Sequence, residues 1–186
     1  MDRRRFLTGA LGAGAVTLGA PWLATAGAAT EDDLAFANFG ASTELLVRDF
    51  YAKAIDARLV GAPTTSALKH GRSAAGWHAK AQSDLLTSAG DAAPLPEDFD
   101  FEWPLRTFKT KAAMMAAGLA VLRALRGVYQ TAAAMASEQS YRVLYASLAA
   151  SVSQQIVALG GAAAAEPFPV ALDIESASDA IERYLG

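Results

Sequence analysis

Apolar side chains recur at intervals of three and four along most of the chain, the spacing of α-helices that bury one face. From Glu31 to about Leu59, Phe36, Phe39, Leu46 and Phe50 form one stripe. Ala37, Ala41, Glu44, Tyr51 and Ile55 form a second stripe beside it. Glu31, Asp32 and Asp33 stand where a helix N-terminus favours negative charge. Gly61-Ala62-Pro63 is expected to end this helix and Thr64, Thr65 or Ser66 to cap the next, which runs from about Ala67 to Ala89 and stops at Gly90. A third helix is predicted over Thr107 to Ala136, with Phe108, Ala112, Met115, Leu119, Leu122 and Tyr129 in register. After a turn at Ser137-Glu138, a fourth runs from Ser140 to Leu159, with Tyr141, Tyr145, Leu148, Val152 and Leu159 on one face and Gly160-Gly161 as its stop.

Between the second and third helices lies Asp91 to Pro104. It carries three Pro and the string Glu97-Asp98-Phe99-Asp100-Phe101-Glu102-Trp103, and its aromatic content marks an ordered crossover. Pro167 to Gly186 reads as an extended strap ending in a short helix near Ser176 to Tyr184. No strand-period segment or internal repeat competes. The expected fold is all-α, a four-helix bundle with one long crossover, which is the ferritin-like topology, plus a C-terminal strap and short helix.

Composition narrows the chemistry. The 186 residues include 44 Ala, the best helix former, and no Cys. Without thiols there are no disulfides, Fe–S clusters, Cys-ligated zinc or thiol catalysis. Two His leave little material for a histidine metal cage, and no G-x-S-x-G or phosphate-cradling Gly loop is present. The net charge of −3, with acids and bases interspersed, gives no footprint for nucleic acid.

The first 28 residues read as an address. Asp2, Arg3, Arg4 and Arg5 precede Phe6-Leu7, then a Gly/Ala-rich run, then the small-residue patterns Ala24-Thr25-Ala26 and Ala26-Gly27-Ala28. A basic start, a short apolar stretch and an A-x-A site describe an export signal. The paired arginines before Phe6 and Leu7 resemble a twin-arginine signal. Residues 1–28 are therefore expected to be cleaved, after Ala26 or Ala28, leaving 29–186 as one domain in the periplasm or outside the cell. Cleavage after Ala28 leaves 18 acidic and 13 basic residues, net −5, with no polybasic patch for a membrane surface. Membrane contact is expected only through the signal during export.

Leu34-Ala35-Phe36-Ala37-Asn38-Phe39, then Glu44, then Phe50-Tyr51, resembles the first helix of the bacterial ferritin-like domain family that includes the desiccation-related proteins. The crossover Phe99-Asp100-Phe101 and the strap Asp173-Ile174-Glu175-Ser176 leading to Tyr184-Leu185 fit that family in order. The resemblance covers essentially all of Glu31 to Gly186. It implies a di-metal carboxylate site in members that carry metal, with one Glu from each of two helices and a Glu-x-x-His from each of the other two. Here Glu44 matches the first-helix ligand position. In the second helix His78 takes either the His place, with Ala75 in the Glu place, or the Glu place, with Ala81 in the His place. In the third the Glu place falls on Leu122 or Arg123. In the fourth, Ser153-Gln154-Gln155-Ile156 stands where Glu-x-x-His would be.

The charge map agrees without any alignment. No Asp or Glu lies between Glu102 and Glu138 or between Glu138 and Glu166, and no His follows His78. A di-iron centre is therefore not expected, and no cofactor or catalytic residue is predicted. Glu44 is expected to find a cation, either Arg48 at i+4 or Arg123 across the core, directly or through His78. His70 with His78 is a weaker cation-site candidate. Tyr51, Tyr129, Tyr141 and Tyr145 are expected in the core with their hydroxyls on polar partners or water. Arg106, Lys109, Lys111, Arg123 and Arg126 form a basic third-helix region that could receive the acidic crossover.

The expected protein is a non-catalytic exported domain with a structural, partner-binding or stress-associated envelope role, acting with an unidentified protein partner or as a homo-oligomer. The alternatives are an atypical metal-binding, oxidoreductase or metal-storage protein using Glu44 and His78, and a carrier of a small apolar ligand.

Overall fold

The computed structural model describes residues 29–160, 166 and 169–185. The proposed signal, with Arg3, Arg4, Phe6 and Leu7, lies outside the described residues. Four long helices make the domain: α1 (Glu31–Ala57), α2 (Ala62–Ser88), α3 (Lys111–Met135) and α4 (Gln139–Gly160). A short α5 (Ile174–Ile181) follows. α1 packs along α2 and α3 along α4, while α1–α3 and α2–α4 contacts join the pairs. β-structure among the described residues is one bridge, between Phe101 and Leu185. The all-α bundle with its long connection between the second and third helices is thus present.

Local chemistry explains the helix ends. Thr30 caps α1, and its hydroxyl and backbone N–H donate to Asp33 Oδ2 at 2.8 and 2.9 Å. Asp33 also accepts from Ser137 N at 3.0 Å and Ser137 Oγ at 2.6 Å, so one buried carboxylate fastens the start of α1 to the α3–α4 turn. Burial opposes ionisation of Asp33, but these bonds outweigh it and hold the carboxyl below its ordinary range.

Three expectations need correcting. Gly61-Ala62-Pro63 starts α2 and does not end α1, which stops at Ala57 with Arg58 as its C-cap in the left-handed region at φ 53°. Gly61 is the N-cap, and Pro63 sits in the first turn, where a missing N–H costs no hydrogen bond. Thr64, Thr65 and Ser66 accordingly lie inside the helix. The crossover continues past Pro104 to Thr110, whose hydroxyl accepts from Ala113 N and caps α3. Phe108 therefore precedes the helix and packs on Phe50 and Trp103, and Ala112 is exposed.

The crossover and tail are tied together. Glu102 N donates to Tyr184 O at 3.1 Å, and the Trp103 and Tyr184 rings stand 4.7 Å apart. On α3, Gly127 lets the strap approach closely. Leu172 N donates to Gly127 O, and a side chain at position 127 would collide with Leu172 at 2.7 Å. The α3 and α4 helices are long and apolar enough to cross a membrane by length and composition alone, although 67% of the most apolar window of α3 is buried inside the bundle.

Candidate functional site: a polar network in the bundle core

The stripe that carries Glu44 faces the bundle axis because Ala37, Ala41 and Tyr51 lie on the same side of α1 and are all buried. Glu44 is 0% exposed. Its Oε1 lies 2.8 Å from His78 Nδ1, contributed by α2, and accepts from the Tyr129 hydroxyl of α3 at 3.0 Å. The Tyr129 oxygen in turn accepts from Gln82 Nε2 at 2.8 Å. Gln82 follows His78 by one helical turn and also donates to His78 O at 3.2 Å. Nearby, Tyr51 donates to Gln155 Oε1 at 2.8 Å, linking α1 to α4.

Close backbone approach makes this possible. A Cβ at Gly71 would fall 2.4 Å from the Tyr51 ring, and one at Gly40 would meet Gln82 Oε1 at 1.7 Å. Both positions need Gly for the space it leaves to a neighbour.

Desolvation dominates the electrostatics. Burial pushes the Glu44 carboxyl above its ordinary range, with the His78 and Tyr129 contacts pulling the other way. Burial, reinforced by the nearby Glu44 charge, drives the Tyr51 and Tyr129 phenols upward. Both phenols are therefore neutral hydrogen-bond donors at physiological pH. The second carboxylate oxygen, Glu44 Oε2, is buried without a partner among the described residues, as are Thr43 Oγ1, Gln82 Oε1 and Gln155 Nε2.

Neither arginine expected beside Glu44 reaches it. Arg48 is exposed. Arg123 is 41% exposed and pairs with Glu166 Oε1 at 3.1 Å, and Arg126 binds the other oxygen of the same carboxylate. These two arginines thus pair with Glu166, just before the strap, and not with the acidic crossover. Leu122, the alternative occupant of the third-helix position, is buried as an ordinary core residue. From α3 it is Tyr129, two turns further on, that reaches Glu44. His78 turns inward to Glu44 while His70 is exposed, and no cluster of three or more His, Asp or Glu side chains suited to a metal exists among the described residues.

The donor set does not suit a di-metal centre. α3 supplies a phenol and α4 an amide, both weak ligands for hard iron, in place of carboxylate and imidazole. Gln82 and Tyr129 were not singled out as site residues by the sequence, although Gln82 lies four residues from His78, close enough along a helix to share its face.

Comparison with known proteins adds no relative: no family model, curated protein or solved structure matches the chain.

Proposed function

We propose that this chain is an exported ferritin-like domain in which a hydrogen-bonded side-chain network occupies the place of a di-metal centre, and that it serves a non-catalytic structural or binding role in the cell envelope. The observation that carries this reading is the state of Glu44. Its Oε1 is held by an imidazole and a phenol, and the two helices that would complete a metal site bring Tyr129 and Gln155. The fold supports it further, since the long connection falls between the second and third helices.

Elemental analysis of protein purified from the exported fraction without chelators tests the reading. Iron, manganese and zinc are each expected well below one atom per chain. A stoichiometric metal that is lost in Glu44→Ala would overturn it in favour of a second reading, a single divalent cation held by Glu44 and His78. The unpartnered buried Glu44 Oε2 is the feature that favours that alternative.

A further inference from the structure

Outside the core network, the crossover builds an aromatic depression on the surface. Phe101, Trp103 and Phe108 form its floor, Lys53 and Lys109 stand at its sides, and Leu105, 95% exposed, forms its rim. Its volume of about 350 Å³ lies at the small end of the range for small-molecule sites. The floor is rigidly backed. Trp103 and Phe108 pack at 5.6 Å, and each lies within about 6 Å of Phe50. Trp103 Nε1 donates to Asp49 Oδ2 at 2.7 Å, which fixes the indole plane.

Of the two lysines that line the depression, Lys53 is paired with Asp49 and Lys109 has no ion pair among the described residues. Asp49 is already engaged by Trp103 and by Lys53 at 2.6 Å. Arg106, Lys109 and Lys111 are exposed and form no ion pair among the described residues. The acidic neighbours Asp100 and Glu102 alternate with Phe101 and Trp103, and alternate side chains of an extended segment point to opposite sides. The outcome is an apolar floor with the unpaired Lys109 ammonium at its edge, in a chain whose net charge is −3.

We propose that this depression binds a single-chain amphiphilic anion, with its aliphatic body on Phe101, Trp103 and Phe108 and its carboxylate on Lys109. The apolar floor alone would accept any hydrophobic compound. Lys109, which has no carboxylate partner among the described residues, selects the anion, because a carboxylate placed there forms a charge-assisted hydrogen bond that a neutral or cationic head cannot. This site is separate from the Glu44 network and stands whether or not that network ever holds metal.

The test uses the full chain carrying Trp22→Phe and Trp77→Phe, which leaves Trp103 as the single indole. Titration with decanoate below its micelle concentration is expected to give a saturable change in Trp103 emission. Lys109→Glu, an exposed position whose far-ultraviolet circular dichroism should match the parent, is expected to raise the half-saturating concentration about tenfold. Decyltrimethylammonium, with the same chain and the opposite charge, should give no saturable response. The proposal is overturned by an absent decanoate response, by equal responses to both amphiphiles, or by unchanged binding in Lys109→Glu. Sedimentation with phosphatidylglycerol vesicles in the absence of any decanoate response would assign the surface to a membrane instead. Concentration-dependent self-association blocked by Leu105→Asp, again without a decanoate response, would assign it to a second copy of the chain.

Discussion

Tyr129→Phe isolates the central hydrogen bond of the core at little steric cost. The ring stays, so no cavity opens and the packing of Tyr129 on Tyr145, at 6.1 Å between centroids, is kept. What is lost is the donor to Glu44 Oε1 at 3.0 Å and the acceptor for Gln82 Nε2 at 2.8 Å, between three side chains that are all 0% exposed. A hydrogen bond to a charged group contributes about 1.5–3 kcal/mol, and Gln82 Nε2 keeps its bond to His78 O, so its own loss is under ~1 kcal/mol. The expected destabilisation is about 3 kcal/mol at pH 8, measured by urea unfolding with an unchanged slope. In a Glu44→Leu background the same substitution should cost ~1 kcal/mol or less, because no carboxylate remains to be served. The pH dependence has a definite sign. Burial raises the folded-state carboxyl of Glu44, so its contribution to stability is fully present below the unfolded carboxyl value of about 4.3 and is lost as pH rises through the folded value. Tyr129→Phe removes a contact that favours the ionised form, so its penalty should shrink as pH falls through the folded Glu44 value. A cost below ~0.5 kcal/mol at pH 8, or an equal cost with and without Glu44, would refute the network as described.

Asp33→Asn should cost about 2 kcal/mol at neutral pH through weakened bonds to Thr30 and Ser137. Because this carboxyl is held low, the parent's advantage is present above the unfolded carboxyl value and should disappear as pH falls through the folded one, as read by parallel denaturation series. Gly71→Ala should destabilise by about 2 kcal/mol in thermal or urea unfolding despite the better helix propensity of Ala, since the new methyl meets the Tyr51 ring at 2.4 Å; a stabilised variant would show that the interhelical contact is loose. Replacing Arg3, Arg4 and Arg5 by Lys keeps the charge but loses the guanidinium geometry, so fractionation should find the variant retained inside the cell. Unchanged export would assign the protein to the general secretory route.

The hydrophobic period along the chain was enough to determine the helices, because a helix that buries one face must repeat its apolar positions every three to four residues. Phe36, Phe39, Leu46 and Phe50 on α1, and Tyr141, Tyr145, Leu148, Val152 and Leu159 on α4, are all buried as that spacing requires. Where local signals were ambiguous the boundaries moved. Gly-Ala-Pro reads equally as the end of one helix and the start of another, but α1 already stops at Ala57 with Arg58 in the left-handed region, and Gly-Ala-Pro takes only the second role. The absence of Asp, Glu and His from α3 and α4 was equally legible, since a residue type absent from a sequence segment cannot appear in its fold. Tertiary structure alone decided what Glu44 touches. Arg48 is a helical turn away and Arg123 was a candidate across the core, but a long cationic side chain is less costly to leave near water, and both remain at the surface. The buried carboxylate is instead met by His78 and Tyr129, 34 and 85 residues away in sequence, whose rings can enter the core without bringing a fixed charge. Contacts across such separations depend on helix rotation and on gaps such as those at Gly40 and Gly71, which the packing of four helices sets together.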